Sequence, residues 1–341
     1  MSLTVTVRPS GRNFEVERDE PILAAAIRQG IGLPYGCRDG ACGSCKSRLL
    51  EGRVIHGVHQ LKALSAQEEA AGWILTCCAT PQTECVVEAR TVPGAGQFAV
   101  QKMPCRVTSI ERPALDVALL KLQLPANLKF QYFAGQYIEF ILKDGARRSY
   151  SMANAPELVD GGLELHIRHM PGGKFTDHLF GAMKEKEILR MEGPFGSFFL
   201  REDSAKPIVL LASGTGFAPI KAIIEHLQSS GVERPALLYW GCRSKADLYL
   251  HPWAEQAAAS MPGLHYVPVL SEPKSEDLWT GRTGLVHHAV MRDLPDLCGH
   301  QVYACGAPVM VDAAQRDFIE KCGLPREEFY ADAFTSEQDK H

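Results

Sequence analysis

The chain has 341 residues, of which 45% are hydrophobic and 22% are charged, and its formal net charge is −4. This is an ordinary globular composition, and the length favours two or three domains. The small acidic charge argues against nucleic acid or an anionic membrane as a partner. No apolar run reaches the roughly 18 residues of a membrane span, and the first residues do not resemble a secretory signal. We therefore expect a cytoplasmic protein without membrane insertion.

The first predicted elements are a β-hairpin and a short helix. Residues 3–8 and 12–17 alternate apolar and polar side chains around Ser10-Gly11, which is typical of a hairpin. The helix is predicted to have Pro21 at its first position and to end at Gly30. A loop rich in cysteine and glycine follows directly.

Four cysteines with the spacing C-x4-C-x2-C and a distant fourth member form the strongest motif: Cys37, Cys42, Cys45 and Cys77. Thiolates at this spacing hold a [2Fe–2S] cluster in plant-type ferredoxins. Zinc is the alternative, but structural zinc sites usually use two closely spaced cysteine pairs or add histidine. Glycines beside the cysteines let backbone amides approach the cluster sulfurs, which also favours iron. Cys77 is preferred to the adjacent Cys78 because the preceding Gly-Trp-Ile-Leu-Thr resembles the ferredoxin segment before its last ligand.

The first domain ends with a predicted strand at 85–90, and a Pro/Gly-rich break follows. Beyond this break, the pattern of apolar residues changes twice. Short alternating stretches, typical of an antiparallel barrel, lie at 103–110, 116–123, 136–142, 148–153 and 163–169. Continuous apolar strands then lie at 208–212, 236–240, 265–270 and 301–305, with helical patterns such as 217–229 and 309–321 between them. Strands that alternate with helices in this way predict a parallel sheet covered on both faces.

One barrel strand ends in Arg148-Ser-Tyr-Ser151. A guanidinium can neutralise a pyrophosphate, an aromatic ring can cover an isoalloxazine, and a hydroxyl can bond to flavin N5. The string resembles the R-x-Y-S motif of the ferredoxin-reductase family, which assigns these roles to Arg148, Tyr150 and Ser151, with Asn154 nearby. On the residues alone, the motif could equally be an exposed strand end.

A second stretch at a suitable distance places glycines before a hydroxyl at a predicted helix start, which suits a phosphate. The resemblance implies that this stretch binds the rest of the FAD through His166, Arg168, Gly172, Gly173, Lys174 and Thr176. Taken alone, His166 could be an ordinary strand histidine. The order and spacing of the two stretches favour the flavin site.

The turn Gly214-Thr-Gly-Phe-Ala-Pro219 follows a buried strand and opens a helix, but it lacks the six-residue Rossmann fingerprint. It resembles the G-T-G-x-A-P turn of the same family, which lies under the pyrophosphate of the nicotinamide dinucleotide. Cys305-Gly306-Ala-Pro resembles the family's C-G-x-P motif, whose cysteine lies beside nicotinamide C4. A buried strand cysteine is the alternative. The residues implied for the nicotinamide dinucleotide are Gly214, Thr215, Gly216, Pro219, Cys305 and Gly306.

Two further features bear on the cofactors. Arg243 and Lys245 could pair with a 2′-phosphate or be solvated, so NADPH stays open beside NADH, which we favour. The tail Phe329-Tyr-Ala-Asp-Ala-Phe334 resembles the aromatic terminus of the family, which implies that Phe334 packs near the flavin.

Together these strings identify the chain as a member of the iron–sulfur flavoprotein reductases with an N-terminal ferredoxin domain, which are similar to ferredoxin-NADP reductase. The resemblance implies a multidomain fold with an α+β ferredoxin-like β-grasp domain at 1–92, a linker at 93–102, an antiparallel β-barrel FAD domain at 103–202 and an α/β parallel-sheet NAD(P)-binding domain at 203–341.

The implied activity is hydride transfer from NAD(P)H to FAD, with Ser151 and Cys305 as the catalytic residues, followed by single-electron transfer through the [2Fe–2S] cluster to a protein acceptor. The double cysteine after Leu75-Thr76 favours the branch whose acceptor is an iron–sulfur dehydrase. The alternative acceptor is the component of a mono- or dioxygenase. A third possibility, a redox-sensing module without turnover, is disfavoured by the full set of hydride-transfer residues.

Overall fold

The structure is a computed structural model that describes residues 2–158 and 162–335. The chain divides into two compact units. The first contains the residues up to Val100, the segment Pro194–Phe198 and the described residues from Ala333 onward. The second contains Gln101–Gly193 and Phe199–Asp332.

The first unit is an α+β fold built on a five-stranded sheet. Its elements are β1 (Leu3–Arg8), β2 (Arg12–Val16), α1 (Ile22–Arg28), β3 (Lys46–Glu51), β4 (Val54–His56), α2 (Ala66–Ala70), β5 (Trp73–Leu75), β6 (Ala79–Pro81) and β7 (Cys85–Glu88). The strand order is β2-β1-β7-β3-β5, in which β1 and β7 are parallel. The predicted hairpin is confirmed, since β1 and β2 pair antiparallel. Pro21 is the N-cap of α1 rather than its first residue.

The second unit begins with a six-stranded sheet. Its elements are β8 (Gln101–Ala114), β9 (Val117–Gln123), β10 (Tyr137–Ile141), β11 (Arg147–Ser151), β12 (Gly162–Arg168), α3 (Lys174–Gly181) and β13 (Ile188–Phe195). The strand order is β11-β10-β13-β8-β9-β12, and a bridge between Met152 and Leu165 joins the two ends. The sheet therefore closes into the predicted antiparallel barrel, around an apolar core that includes Ile138, Phe140 and Leu165. The sequence analysis did not predict β13.

The second sheet of this unit is parallel where its pairing is described. Its elements are β14 (Ile208–Ser213), α4 (Phe217–Ser230), β15 (Ala236–Cys242), α5 (His251–Ser260), β16 (Leu264–Leu270), β17 (Arg282–Thr283), α6 (Val286–Asp293), β18 (Gln301–Gly306), α7 (Pro308–Cys322) and β19 (Phe329–Ala333). The strand order is β17-β16-β15-β14-β18-β19, with β14 parallel to both β15 and β18. The chain leaves β14 toward β15 and later returns to its other side at β18. Ligands of open α/β sheets bind at such a reversal, beyond the carboxyl ends of the strands.

These three sheets confirm the predicted fold class. The exact domain boundaries stay a prediction. The segment predicted as part of a break before the barrel is bonded to the first unit, because Val92 N–H donates to Gly32 O at 2.9 Å.

Candidate active site

The predicted cluster ligands come together in the first unit. Cys37, Cys42 and Cys45 lie in the loop between α1 and β3, and Cys77 lies in the turn between β5 and β6. Antiparallel pairing of Lys46 with Leu75 sets the two arms side by side. The sulfurs form two close pairs, since Cys45 Sγ lies 3.2 Å from Cys77 Sγ and the Cys37 and Cys42 amides donate to each other's sulfur at 3.4 and 3.3 Å.

The crowded thiols perturb one another's ionisation. Hydrogen bonding with Cys37 lowers the pKa of Cys42 to about 6, whereas the same contact and then burial raise the pKa of Cys37. Hydrogen bonds to Cys45 and Cys78, and then burial, raise the pKa of Cys77. Four thiolates packed this closely repel one another unless cations lie between them. Two sulfur pairs therefore fit two iron atoms with two thiolate ligands each.

Gly40 allows the cysteine loop to pack directly against Cys78, because glycine has no side chain to hold them apart. Its φ is +77°, and a Cβ atom there would lie 2.8 Å from both Cys78 Sγ and His59 Cβ. Cys78 Sγ in turn lies 3.5 Å from Cys77 Sγ. Cys78 therefore packs beside the predicted ligand, against the cysteine loop.

The two predicted flavin motifs meet in the second unit. Arg148, Tyr150 and Ser151 lie on β11, and α3 begins at Lys174 directly after the Gly172-Gly173 turn. The Tyr150 ring packs against Phe175 of α3, with the ring centroids 5.3 Å apart. A strand that carries a guanidinium and a helix N-terminus packed beside it suit a pyrophosphate, so this donor set fits FAD.

Four other residues predicted to bind the flavin make contacts within the protein. The Asn154 side chain accepts from Glu164 N–H at 2.8 Å. The Thr176 hydroxyl donates to Met170 O at 2.8 Å and thereby closes the loop before α3. Both ring nitrogens of buried His166 are engaged, by Glu164 Oε1 and Tyr249 Oη at 2.9 Å each. Lys174 forms an exposed ion pair with Asp144.

The predicted nicotinamide motifs meet at the carboxyl ends of β14 and β18. Gly214–Gly216 form a turn between β14 and α4. A Cβ atom on Gly216 would lie 2.2 Å from Cys305 O, and one on Gly306 would lie 2.3 Å from Ser213 Oγ. Only glycine permits this approach, so the G-T-G turn and the C-G pair are fitted to each other. Pro219 is buried in the first turn of α4.

Arg168 lies on the nicotinamide side of the barrel, although the sequence analysis assigned it to the flavin. Its Nη2 would be 3.5 Å from a Cβ atom on Gly214. Nε and Nη2 are buried and lack hydrogen-bond partners among the described residues, although Nε lies 3.4 Å from Asp116 Oδ2. A half-buried guanidinium with two unpartnered donors beside a glycine turn fits the anionic part of a dinucleotide.

The two predicted catalytic residues are linked by a residue that the sequence analysis missed. Ser151 Oγ donates to Asp332 Oδ2 at 3.3 Å, and both residues are buried. Cys305 is fully buried in β18, where burial and then the charge of Asp332 raise the pKa of its thiol. The only sequence signal for Asp332 was a carboxylate inside an otherwise apolar and aromatic string. Phe334 follows β19 and is half-buried.

A buried ionic network joins the barrel to the parallel sheet inside the second unit. Lys221 Nζ of α4 lies 3.2 Å from Glu164 Oε1 of β12 and 2.6 Å from Glu225 Oε1, and it donates to Ala153 O at 3.0 Å. Burial, which alone would raise the pKa of Glu164, is outweighed by the hydrogen bond to His166 and the charge of Lys221, so that pKa is lowered to about 2. Burial lowers the pKa of His166.

Family models match three consecutive parts of the chain. A 2Fe-2S iron-sulfur cluster binding domain matches residues 5–82, an oxidoreductase FAD-binding domain matches residues 104–200, and an oxidoreductase NAD-binding domain matches residues 210–316. The CDP-6-deoxy-L-threo-D-glycero-4-hexulose-3-dehydrase reductase of Yersinia pseudotuberculosis is 43% identical over 334 residues, which is 98% of this chain and 99% of that protein. The chain belongs to the iron–sulfur flavoprotein reductases.

Other members of this family serve oxygenases. The phenol hydroxylase P5 protein of Acinetobacter pittii is 38% identical over 319 residues, which is 92% of this chain and 89% of that protein. Among solved structures, the Amycolatopsis cytochrome P450 reductase GcoB matches with a TM-score of 0.81 and 33% identity, over 98% of this chain and 99% of that one.

Membership confirms the predicted activity and cofactors: the chain is an oxidoreductase that uses a [2Fe–2S] cluster, FAD and a nicotinamide dinucleotide. Within the part of the chain that the structure describes, every helix is too short or too polar to cross a bilayer.

Proposed function

We propose that this reductase supplies electrons to an iron–sulfur dehydrase that acts on a CDP-linked 6-deoxyhexulose, as a CDP-6-deoxy-Δ3,4-glucoseen reductase does. The observation that carries the proposal is the 43% identity to the Yersinia dehydrase reductase, which extends over nearly the whole of both chains. The phenol hydroxylase relative is less similar and covers less of the chain. The TM-score of 0.81 to a cytochrome P450 reductase supports the alternative, an oxygenase as the acceptor.

When bound, FAD would supply hydride acceptance and the cluster one-electron release, and the residues would supply position and charge. We assign the cluster to Cys37, Cys42, Cys45 and Cys77. Ser151 and Cys305 are assigned to the point of hydride transfer. Asp332 accepts a hydrogen bond from the Ser151 hydroxyl and so fixes the direction of that hydroxyl. Groups fixed in this way hold reacting atoms at attack distance.

The remaining predicted residues divide between binding and support. We assign Arg148, Tyr150, Gly172, Gly173 and Lys174 to FAD, and a role for Phe334 at the flavin stays a prediction. The internal contacts of Asn154, His166 and Thr176 support a role in holding the backbone of that site.

For the nicotinamide dinucleotide we assign the turn Gly214–Gly216, with Pro219, Gly306 and Arg168. The last of these brings its unused donors to that turn. Arg243 and Lys245 are both exposed, and we propose NADH as the preferred donor. Because iron ligation needs reduced thiols, we also propose a cytoplasmic location.

An apolar patch beside the cysteine loop is the proposed docking surface for the acceptor. Ile55, Val58 and Leu61 are 60%, 93% and 72% exposed. Their segment is bonded to the cysteine loop, since Gln60 N–H donates to Gly40 O at 3.0 Å. Exposed apolar patches with a polar rim mark protein interaction sites. The exposed cations Arg53 and Lys62 flank this one, which suits an acceptor with an acidic rim.

The experiment is anaerobic stopped-flow reoxidation of the NADH-reduced holoenzyme by a purified CDP-6-deoxyhexulose dehydrase or by a purified phenol hydroxylase oxygenase. We expect fast reoxidation by the dehydrase alone, and the reverse preference would contradict the proposed acceptor. Val58→Asp should weaken apparent affinity for the dehydrase roughly tenfold, as loss of a central contact does. Leu115→Asp, at a fully exposed residue of the other unit, is the matched control. Equal effects of both variants would contradict the docking surface.

A further inference from the structure

A cluster of two histidines and an aspartate lies between α6 and α7, outside the residues assigned to the cofactors. One ligating atom from each of His287, His288 and Asp317 lies within 4.8 Å of the other two. His287 and Asp317 are 5% and 2% exposed, whereas His288 is exposed to solvent. The centroids of the two imidazole rings are 4.2 Å apart.

The Asp317 carboxylate is held by one oxygen and leaves the other turned toward the histidines. Oδ1 lies 3.0 Å from Arg316 Nε and 3.1 Å from Lys321 Nζ. Oδ2 lies 3.6 Å from His287 Nε2, which is too long for a hydrogen bond. In metal sites the ligating carboxylate is itself commonly hydrogen-bonded through its second oxygen, and that hydrogen bond fixes its orientation.

The ionisation of the cluster suits metal binding. Hydrogen bonds from Arg316 and Lys321 lower the pKa of Asp317, so the carboxylate is charged. Burial, and then the neighbouring His288, lower the pKa of His287, so its ring is neutral at neutral pH and keeps a lone pair. The two cations also repel a metal ion, but their side chains are 60% and 57% exposed and solvent screens their charge.

We propose that His287, His288 and Asp317 form a site for a divalent transition metal ion of the Zn²⁺ type. Two imidazoles and one carboxylate are a ligand set that zinc accepts, with the fourth position left to water. Bond lengths near 2 Å bring tetrahedral ligands to within about 3.3 Å of each other, so the donor atoms must close in on the ion. Exposed His288 is the ligand with room to do this.

The site lies away from the nicotinamide motifs and joins two helices. Asp317 lies nine positions beyond Pro308, where α7 begins, which is roughly 14 Å along the helix. Val286, next to His287, packs on Gly241 of β15. A bound ion would therefore cross-link α6 to α7 and stabilise the folded form by mass action.

The test is calorimetric titration of ZnCl₂ into the EDTA-treated and dialysed holoenzyme, with the cluster and FAD loaded. We expect one zinc equivalent whose affinity falls at least about tenfold in His288→Gln and stays unchanged in His265→Gln, an exposed histidine of the adjacent β16. Zinc should raise the Tm of the wild type and of His265→Gln but not that of His288→Gln.

Zinc K-edge absorption should show only nitrogen and oxygen ligands, with two imidazoles. Unchanged affinity in His288→Gln would overturn the site, as would sulfur in the ligand shell, which would place the ion on cysteines. Because His288 is exposed and has no assigned part in electron transfer, NADH-dependent reduction of a small-molecule acceptor should be unchanged in this variant without zinc, which separates loss of the site from misfolding.

Discussion

The cysteine loop of the first unit and the hydride-transfer region of the second are built in opposite ways. Three of the four proposed cluster ligands lie within nine consecutive residues, from Cys37 to Cys45. In the hydride-transfer region, by contrast, Ser151 and Asp332 are hydrogen-bonded across a sequence separation of 181 residues. The first site depends on one short loop and on a fourth cysteine that the pairing of β3 with β5 brings beside it, whereas the second exists only once the barrel and the parallel sheet have packed.

Both regions use glycine to bring backbone into close contact, but with different partners. Gly40 lets the cysteine loop pack on His59 and Cys78, which lie in the segments that follow β4 and β5. Gly216 and Gly306 instead let two separate strand ends of the parallel sheet approach each other. The cysteine site should therefore tolerate changes outside the cysteine loop and the segments that pack on it, whereas the distributed site should respond to any change that shifts one strand against another.

The largest expected effect separates two adjacent cysteines. Cys77→Ala should abolish transfer to one-electron protein acceptors, because the cluster loses one of its four cysteine ligands. NADH should still reduce the flavin. Cys78→Ala is the matched control and should keep the cluster spectrum. Visible absorption, EPR of the reduced protein and cytochrome c reduction measure both variants. If Cys78→Ala loses the cluster and Cys77→Ala keeps it, Cys78 rather than Cys77 is the fourth ligand.

The next effect concerns the distributed site. Ser151→Ala should slow reduction of the flavin by NADH about 100-fold, as loss of a positioned polar group does, and leave the cluster spectrum intact. Asp332→Asn should also slow it, because the amide no longer fixes the hydroxyl as the carboxylate does. Ser149→Ala, on an exposed position of the same strand, is the control. Stopped-flow absorbance at single turnover measures the rates. Normal rates in Ser151→Ala would remove Ser151 from this role.

A smaller effect tests whether the buried network holds the distributed site together. Lys221→Met leaves two buried carboxylates without their cation, which should cost about 3–5 kcal/mol and lower Tm by roughly 10 °C. Lys121→Met removes an ion pair whose lysine is 46% exposed and should cost under about 1 kcal/mol. Differential scanning fluorimetry compares the two. If the two variants have the same Tm, the buried network stabilises the fold no more than a surface ion pair does.

The smallest effect is a pH dependence of the same network. The pKa of Glu164 is lowered to about 2 in the folded protein, so its contribution is fully present above the ordinary pKa near 4.5 and is lost as the pH falls toward 2. The lowered pKa of His166 adds a loss that begins below about pH 6.5, because only the unfolded chain readily takes up that proton. Tm should fall less steeply below pH 4.5 in Glu164→Gln than in the wild type. Parallel curves would contradict this coupling.

Sequence patterns predicted the parts of the molecule that repeat a local rule. The alternation in β1 and β2, the five barrel strands and the spacing of the cysteines each depend on neighbouring residues, and the strands formed as expected. The strand β13 was missed since its last residues, Gly193 and Pro194, are typical of a turn rather than of a strand. For Arg168 the sequence predicted a flavin contact, whereas the structure places its guanidinium beside Gly214. Position on a strand does not reveal which neighbouring element a side chain faces.

By itself, the sequence determined the order of the three folds and the identity of the cofactors, because a short motif of characteristic spacing or order indicates each cofactor. Only the tertiary structure decided that Asp332 joins Ser151, that His166 is buried with both nitrogens bound, and that two histidines face Asp317 between helices. The physical reason is that these contacts form between segments far apart in the chain, where packing rather than local spacing sets the distance. Three of the cysteines lie in one loop, whereas Cys77 reaches them through the antiparallel pairing of β3 with β5.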